Sequence, residues 1–482
     1  MKRRLLTFAG FSALVTLSSA VALAEPNWPG FRGRDGVGIG IGDTTPKEIT
    51  PDKNVKWKID CPSGASSPCV WGDKIFLTAF DEGKLWTICY AKADGKQLWK
   101  KEAPATTIEA YHKTEGSPAA STPATDGTNI VVYFGSCGLI CYDFEGNEKW
   151  RREMPCVKTN FDFGTGTSPI LAGDRIILLR DTATDSSITA YLTATGKQLW
   201  TKSREAFGTS FGSPCVWQSG GVYEVVTAGA LRLNAYDLQT GEERWTLRNA
   251  PAAVCTTPIT SNNMLYFAGW SPGGEDFPMP SHADIMGQAK KAGNEDGDGK
   301  LSKEESAGTM LKDFFDNNDT DHDGYVTAEE WDGIIAAMKK GHNVAMAIKP
   351  GGKGDITESH VAWQQTKGLP YVPSPIAHLG KMYLIKDGGL LSCFRLEDGK
   401  PQYQQVRIGA AGSYYASPVI ASDKLYLCSL EGDVSVITLG EKPETLSSAK
   451  FGERIYATPA IADNTIYLRT ASKLYAFGEG GK

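Results

Sequence analysis

One spelling recurs along this chain: a short apolar strand, a turn containing Gly and, a few residues on, a Trp. It reads "CYAKADGKQLW" to Trp99, "CYDFEGNEKW" to Trp150, "AYLTATGKQLW" to Trp200 and "AYDLQTGEERW" to Trp245, with a weaker copy, "CFRLEDGKPQY", to Tyr403. A second marker precedes each copy, a small residue and Pro followed by an alternating apolar strand. Its prolines are Pro68, Pro123, Pro169, Pro214, Pro258, Pro375, Pro418 and Pro459, mostly spaced about 45 residues apart. A period of that length is one four-stranded unit of a repeat architecture.

Each copy divides into four short strands, A to D, separated by polar or Gly-containing turns. A lone four-stranded sheet leaves a face unburied, so the units must pack side by side around a ring. Gly (53 residues) and Trp (12) are both plentiful, as many turns and a repeated aromatic anchor require. The eighth copy stops at "KLYAFG" without its strand D, while "NVKWKID", carrying Trp57, stands just before the first. The N-terminal strand is therefore expected to complete the last blade. The predicted fold is all-β: an eight-bladed β-propeller of four-stranded blades with a small α-helical EF-hand insertion in blade five.

The Ala-Tyr-Asp…Thr-Gly…Trp pattern of residues 235–245 resembles the tryptophan-docking motif of PQQ-like β-propellers. That group includes quinoprotein alcohol dehydrogenases and the BamB-type factor of outer-membrane protein assembly. The resemblance covers nearly all of the chain after its leader except one insertion. It implies the fold, because fold and activity separate readily. The opening "NWPGFRGRDGVGIG" also resembles exported bacterial members, and its glycines suggest a loop packed over the ring.

Between Pro258 and Pro375 the repeat spacing more than doubles. Strand B of blade five, "MLYFAGW", is intact, and "NVAMAIKPGG" with "HVAWQQT" supplies strands C and D, so the extra segment sits in a B–C loop. The division expected is residues 25–270 and 343–482 for the propeller and 271–342 for the insertion. Within it, "DTDHDGYVTAEE" fits a calcium loop. Asp319, Asp321 and Asp323 give carboxylate oxygens, Tyr325 a backbone carbonyl, Thr327 a water and Glu330 two oxygens, around the Gly324 turn. Upstream, "NEDGDGKLSKEE" sets Asn294, Asp296, Asp298, Lys300 (by its carbonyl), Ser302 and Glu305 in the same roles. Asn in place of the leading Asp removes a charge and predicts a weaker site. Residues 274–343 hold sixteen acidic side chains against seven Lys, so the acidity gathers where Ca2+ would offset it.

"MKRRLLTFAGFSALVTLSSAVALAEP" has the basic, apolar and small-residue regions of a secretory leader, residues 1–24, cleaved after Ala24. The mature protein is expected to be periplasmic or secreted, monomeric and not inserted in a membrane. No basic patch suits nucleic acid. Ten cysteines stand largely where small hydrophobes stand in sister repeats, which leaves room for one or two disulfides and not for a full framework.

The segments before the Pro markers, the D–A loops, carry Tyr111, His112, Phe161, Phe211, Tyr371, Tyr414, Tyr415 and Tyr456. Aromatic tips around a channel mouth suit a protein, peptide or carbohydrate ligand. B–C and D–A connections leave a blade on the same face, so the insertion should stand over or beside this mouth. No hydrolase motif and no catalytic residue is identified. The expected function is an exported, calcium-binding scaffold. The alternative is a PQQ-dependent oxidoreductase, against which no two cysteines are adjacent, as many such enzymes have them.

Overall fold

The computed structural model describes residues 27–480 apart from residues 43, 205–209, 274–278, 295 and 313. The leader expected over residues 1–24 lies outside the described residues. Eight antiparallel sheets make an eight-bladed propeller. In blade 1 strand A is Cys69–Trp71, B is Lys74–Asp81, C is Lys84–Ala91 and D is Gln97–Glu102. Blade 8 takes Ala460–Ala462, Thr465–Arg469 and Lys473–Phe477 from the C-terminal end. Its strand D is Val55–Asp60, with Trp57 opposite Ala476, so the two ends of the chain close the ring.

Strand D of blades 1, 2, 3, 4, 5 and 8 turns a Trp onto the following blade, whereas blade 6 has Tyr403 at that place and strand D of blade 7 has no aromatic residue. A register shift follows the Trp pair in blades 1, 2, 3, 4, 5 and 8, a bulge that re-aims the side chain. The indole N–H of Trp57 donates to the Lys92 carbonyl at 3.0 Å, that of Trp99 to Phe144, Trp150 to Thr193, Trp200 to Leu238 and Trp363 to Leu396. The ring face lies on the Gly of the neighbour's C–D turn. At Gly196, with φ +65°, a Cβ would stand 2.5 Å from Trp150, so a side chain there would evict the indole. Opposite each Trp on strand C is a small residue: Cys89, Cys141, Ala190, Ala235, Ala347 or Ala476. That position explains the Cys-for-Ala exchange between repeats. All ten cysteines are free thiols, and burial pushes that of Cys89 up to about 12, which makes it inert.

Two blades gain a fifth strand. Gly354–Asp355, from the C–D loop of blade 5, pairs in parallel with the outer edge of blade 4, and Ile39–Gly40 pairs in parallel with the inner strand of blade 7. The second of these corrects an expectation. Residues 27–40 do not lie over the ring; they thread its channel. Trp28 pairs with Val70 of blade 1, the Pro29 carbonyl accepts from Thr125 of blade 2, and the Gly38 carbonyl accepts from Ile420 of blade 7. Arg32 donates to the Pro375 carbonyl of blade 6 and is wholly buried, which pushes its guanidinium down to about 9. The glycines serve this close threading: a Cβ on Gly33, at φ +74°, would stand 2.7 Å from Trp28.

The insertion leaves blade 5 after Gly269 and returns at Val344. Its root is pinned where Asn343 and Ser271 exchange two hydrogen bonds of 2.9 and 3.0 Å. It contains helices α1 (His282–Lys291), α2 (Lys303–Ser306), α3 (Phe315–Asn318) and α4 (Ala328–Met338). Capping boxes at Ser281, Ser302 and Thr327 start α1, α2 and α4. Ile285, Leu301, Leu311, Phe315, Val326 and Trp331 form a core of its own.

Candidate functional site

The Pro markers prove to be more than strand starts. The residue before every one of the eight prolines is Ser or Thr, and seven successive hydrogen bonds link them around the channel. Ser67 N–H donates to Thr122 Oγ1 at 3.0 Å, Thr122 N–H to Ser168 Oγ, and so on to Ser417 N–H and Thr458 Oγ1 at 2.9 Å. Each backbone N–H thereby finds its partner in the next blade, which a Val or Ala at the same place would leave unpaired. This girdle went unread in the sequence, although the uniform Ser/Thr identity was its signal.

Above the threaded segment the girdle opens into a cup of about 180 Å³. Phe31 closes it from inside the ring, and Glu115, Phe163, Phe211, Tyr371, Tyr415 and Tyr456 make its wall. Phe163 meets Phe211 edge-on with centroids 6.0 Å apart, and Tyr415 meets Tyr456 at 6.2 Å. Burial, and then the nearby Glu115 carboxylate, push the Tyr415 hydroxyl up from its ordinary pKa. Phe31, Glu115 and Phe163 were missed in sequence, the last two although they sit in the D–A segments that held the named aromatics.

Between the insertion and the propeller lies a second, larger cavity of about 690 Å³. The insertion contributes Met310, Leu311, Phe314, Trp331, Ile334 and Met338; the ring contributes Phe161, Phe163, Phe211 and Tyr371. Three of these, Phe163, Phe211 and Tyr371, also line the cup, so the two spaces adjoin. Phe314 fixes the insertion to the mouth, stacked on His112 at 5.9 Å and 17° and tilted on Phe163 at 6.1 Å. Trp270 packs edge-on to Tyr371 at 5.6 Å. The insertion thus stands on the D–A face. Phe161 adopts φ +59°, a left-handed conformation that costs an aromatic residue about 1 kcal/mol or more.

Three of the named aromatics, Tyr111, His112 and Tyr414, line neither space, although His112 stacks on Phe314. Tyr414 is a correction: it is 1 % exposed, in the core between blades 6 and 7, where its N–H donates to Asp387 and its hydroxyl to the Ala410 carbonyl. Adjacent residues of an extended loop point opposite ways, so Tyr415 faces the cup when Tyr414 turns inward. Tyr111 packs edge-on against Phe80 at 5.8 Å.

In the insertion the two acidic loops stand back to back, joined by a two-residue antiparallel bridge in which Leu301 faces Val326 and Ser302 faces Tyr325. Asp319, Asp321 and Asp323 bring carboxylate oxygens within 4.8 Å of one another, a group that could hold a metal ion. The loop curls around them. Asp319 accepts from the N–H groups of Asp323 and Gly324, and Asp323 from Tyr325. Glu330 reaches back to Thr320 N–H at 2.7 Å and to Thr327 N–H at 2.8 Å. Against a desolvation that opposes its charge, the bonds from Thr327 and Thr320 hold its carboxyl down at about 2. The upstream loop repeats the pattern: Glu305 accepts from Asp296 and Ser302, Asp296 from Asp298, and Asp298 from Lys300. Asn294 N–H is tied to the Ala289 carbonyl at the end of α1.

Beside the cup one buried carboxyl has an unusual proton affinity. Burial raises Glu109 from the ordinary 4.5 to about 7, opposed in part by hydrogen bonds from Thr165 and by Arg180. A folded state that holds the proton more tightly loses stability as pH rises from about 4.5 to about 7. Glu109→Gln should therefore match the wild type near pH 4 and exceed it at pH 8 by up to about 3 kcal/mol. Urea unfolding across that range checks the sign.

Eight four-stranded blades around a channel, closed by the N-terminal strand, define an eight-bladed β-propeller. A family model described as "Outer membrane protein assembly factor BamB" matches residues 47–155, 87–257 and 184–276. BamB from Moraxella catarrhalis is 12% identical, with a TM-score of 0.53 over 87% of this chain and 98% of that one. A quinohemoprotein alcohol dehydrogenase from Pseudomonas putida is 10% identical, with a TM-score of 0.58 over 95% and 81%. A europium-containing methanol dehydrogenase is 11% identical, with a TM-score of 0.56 over 94% and 98%. At such identities these likenesses show the fold. No curated protein matches the sequence.

Proposed function

We propose that the protein is an exported binding scaffold whose D–A mouth takes a protein, peptide or carbohydrate ligand and whose insertion is a calcium-binding EF-hand pair. One observation carries this reading: the acidic helical module is seated on the aromatic mouth through Phe314 and encloses a cavity of about 690 Å³ with it. A pocket of that size, apolar with a few polar groups, is in the range that small ligands and side chains fill. Asp319, Asp321, Asp323, Tyr325, Thr327 and Glu330 would hold one ion. Asn294, Asp296, Asp298, Lys300, Ser302 and Glu305 would hold a second more weakly. The donor chemistry suits a hard cation that takes six to eight oxygens. Bound calcium would fix α1 and α4, and with them the roof of the cavity.

The alternative reading is a PQQ-dependent oxidoreductase. The cup itself, about 180 Å³, is below the roughly 300 Å³ at which small-molecule pockets begin, so a quinone would have to extend into the adjoining cavity of about 690 Å³. The cup's closing wall is the chain's own Phe31.

Calcium titration of the whole protein tests the reading. Glu330→Gln should weaken the stronger site on the order of 100-fold, since it removes a charge and a bidentate ligand. Asn294→Ala should affect the weaker site alone. Equal calcium affinity for wild type and Glu330→Gln would overturn the assignment.

A further inference from the structure

The cup has a chemistry narrower than its hydroxyls and aromatics suggest. Among the described residues, Glu115 is the one charged side chain in its wall. It has no ion-pair partner among the described residues. Arg454, the cation on the adjoining loop, is engaged by the Thr114 carbonyl and the Tyr456 hydroxyl. Tyr456 in turn donates to the Thr114 carbonyl at 2.9 Å, which holds this side of the cup in place. Around Glu115 stand the faces and edges of Phe163, Phe211, Tyr371, Tyr415 and Tyr456, arranged as perpendicular pairs. A carboxylate inside an aromatic wall attracts a cation twice, through its own charge and through the ring quadrupoles. The same wall repels a carboxylate and gains little from a neutral hydroxyl.

The adjoining space settles what the cation is attached to. Phe163, Phe211 and Tyr371 pass from the cup into the cavity under the insertion, where Met310, Leu311, Ile334 and Met338 offer an apolar, adaptable surface. We infer that the mouth recognises an organic ammonium group carried on an apolar body, the ammonium against Glu115 in the cup and the body under the insertion. The inference rests on the reading of this mouth as a ligand site. It sharpens that reading to one charge and one shape.

Calorimetry on the calcium-loaded whole protein tests it with n-octylammonium, neutral n-octanol and anionic octanoate. Octylammonium should bind at least about ten-fold more tightly than octanol, and octanoate more weakly than both. Glu115→Gln should reduce the ammonium preference to within about two-fold while leaving octanol affinity unchanged. An acetylated, amidated tripeptide with Lys between two Leu separates the sources. Tighter binding than octylammonium points to a peptide, weaker binding to a free amine. Equal binding of octylammonium and octanol by the wild type would overturn the inference with no variant needed. Should calcium still change octanol affinity in that case, the scaffold reading would stand and the charge assignment alone would fall.

Discussion

Deleting Asn54–Asp60 should abolish cooperative unfolding of the whole propeller, although the segment is seven residues at the far end of the sequence from the blade it completes. Without it Lys473–Phe477 becomes an exposed edge, and the apolar cluster that joins Tyr467, Leu474 and Phe477 to Val70, Ile75 and Leu77 of blade 1 loses its cover. The seam has two further anchors. Trp57 packs on Gly95 of blade 1 and donates to Lys92, while Arg469 of blade 8 donates to Ser66 and Thr78 of blade 1 and to Pro62 beside it. Trp57→Ala, which keeps the strand and removes the anchor, should cost about 3 kcal/mol. By contrast Asp60→Ala should cost little, since its pair with Lys473 is fully exposed on the carboxylate side. Urea midpoints for the three variants give the order, and an unchanged midpoint for the deletion would mean the ring closes some other way.

The features that repeat were legible in the sequence, because a repeat shows its own pattern eight times. Blade count, the docking role of the Trp, closure by residues 54–60 and the face on which the insertion stands all follow from spacing and from the alternation of strand direction. The features that occur once were not. Residues 27–40 have no sister segment to reveal that Trp28 and Arg32 go into the channel, and a Gly-rich stretch reads equally as an outer loop. The D–A loops show aromatics but not which way each turns, so Tyr414 and Tyr415 looked alike where one is core and the other cup wall. Glu115 was hidden for a related reason. Its meaning comes from the aromatics of five other loops, distant in sequence, and from the absence of a cation beside it among the described residues.

Asp181→Ala should be among the most destabilising single substitutions in the ring, about 3–5 kcal/mol. Arg204 and Asp181 close blade 3 against blade 4 with both side chains wholly buried. The guanidinium makes a two-pronged contact, Nε to Oδ1 at 2.8 Å and Nη2 to Oδ2 at 2.9 Å, and its Nη1 crosses to Thr227 Oγ1 and to the Tyr236 hydroxyl at 2.8 Å. Removing the carboxylate strands the guanidinium in a site that water does not reach, and the cost is that of an uncompensated charge rather than of a lost contact. The double variant Asp181→Leu with Arg204→Met should recover most of the loss, because neither charge is then buried alone. The consequence reaches the ligand site. Thr182, Ala183, Thr184 and Ser186, which follow Asp181 directly, line the cavity under the insertion, and the Arg204 N–H donates to the Ser186 carbonyl. Asp181→Ala should therefore weaken octanol binding as well as lower the urea midpoint, while the double variant restores stability first. Octanol affinity that follows the midpoint in all three proteins would show that the clamp acts on the site by holding its floor. An Asp181→Ala protein as stable as the wild type would show that Arg204 is satisfied without its carboxylate.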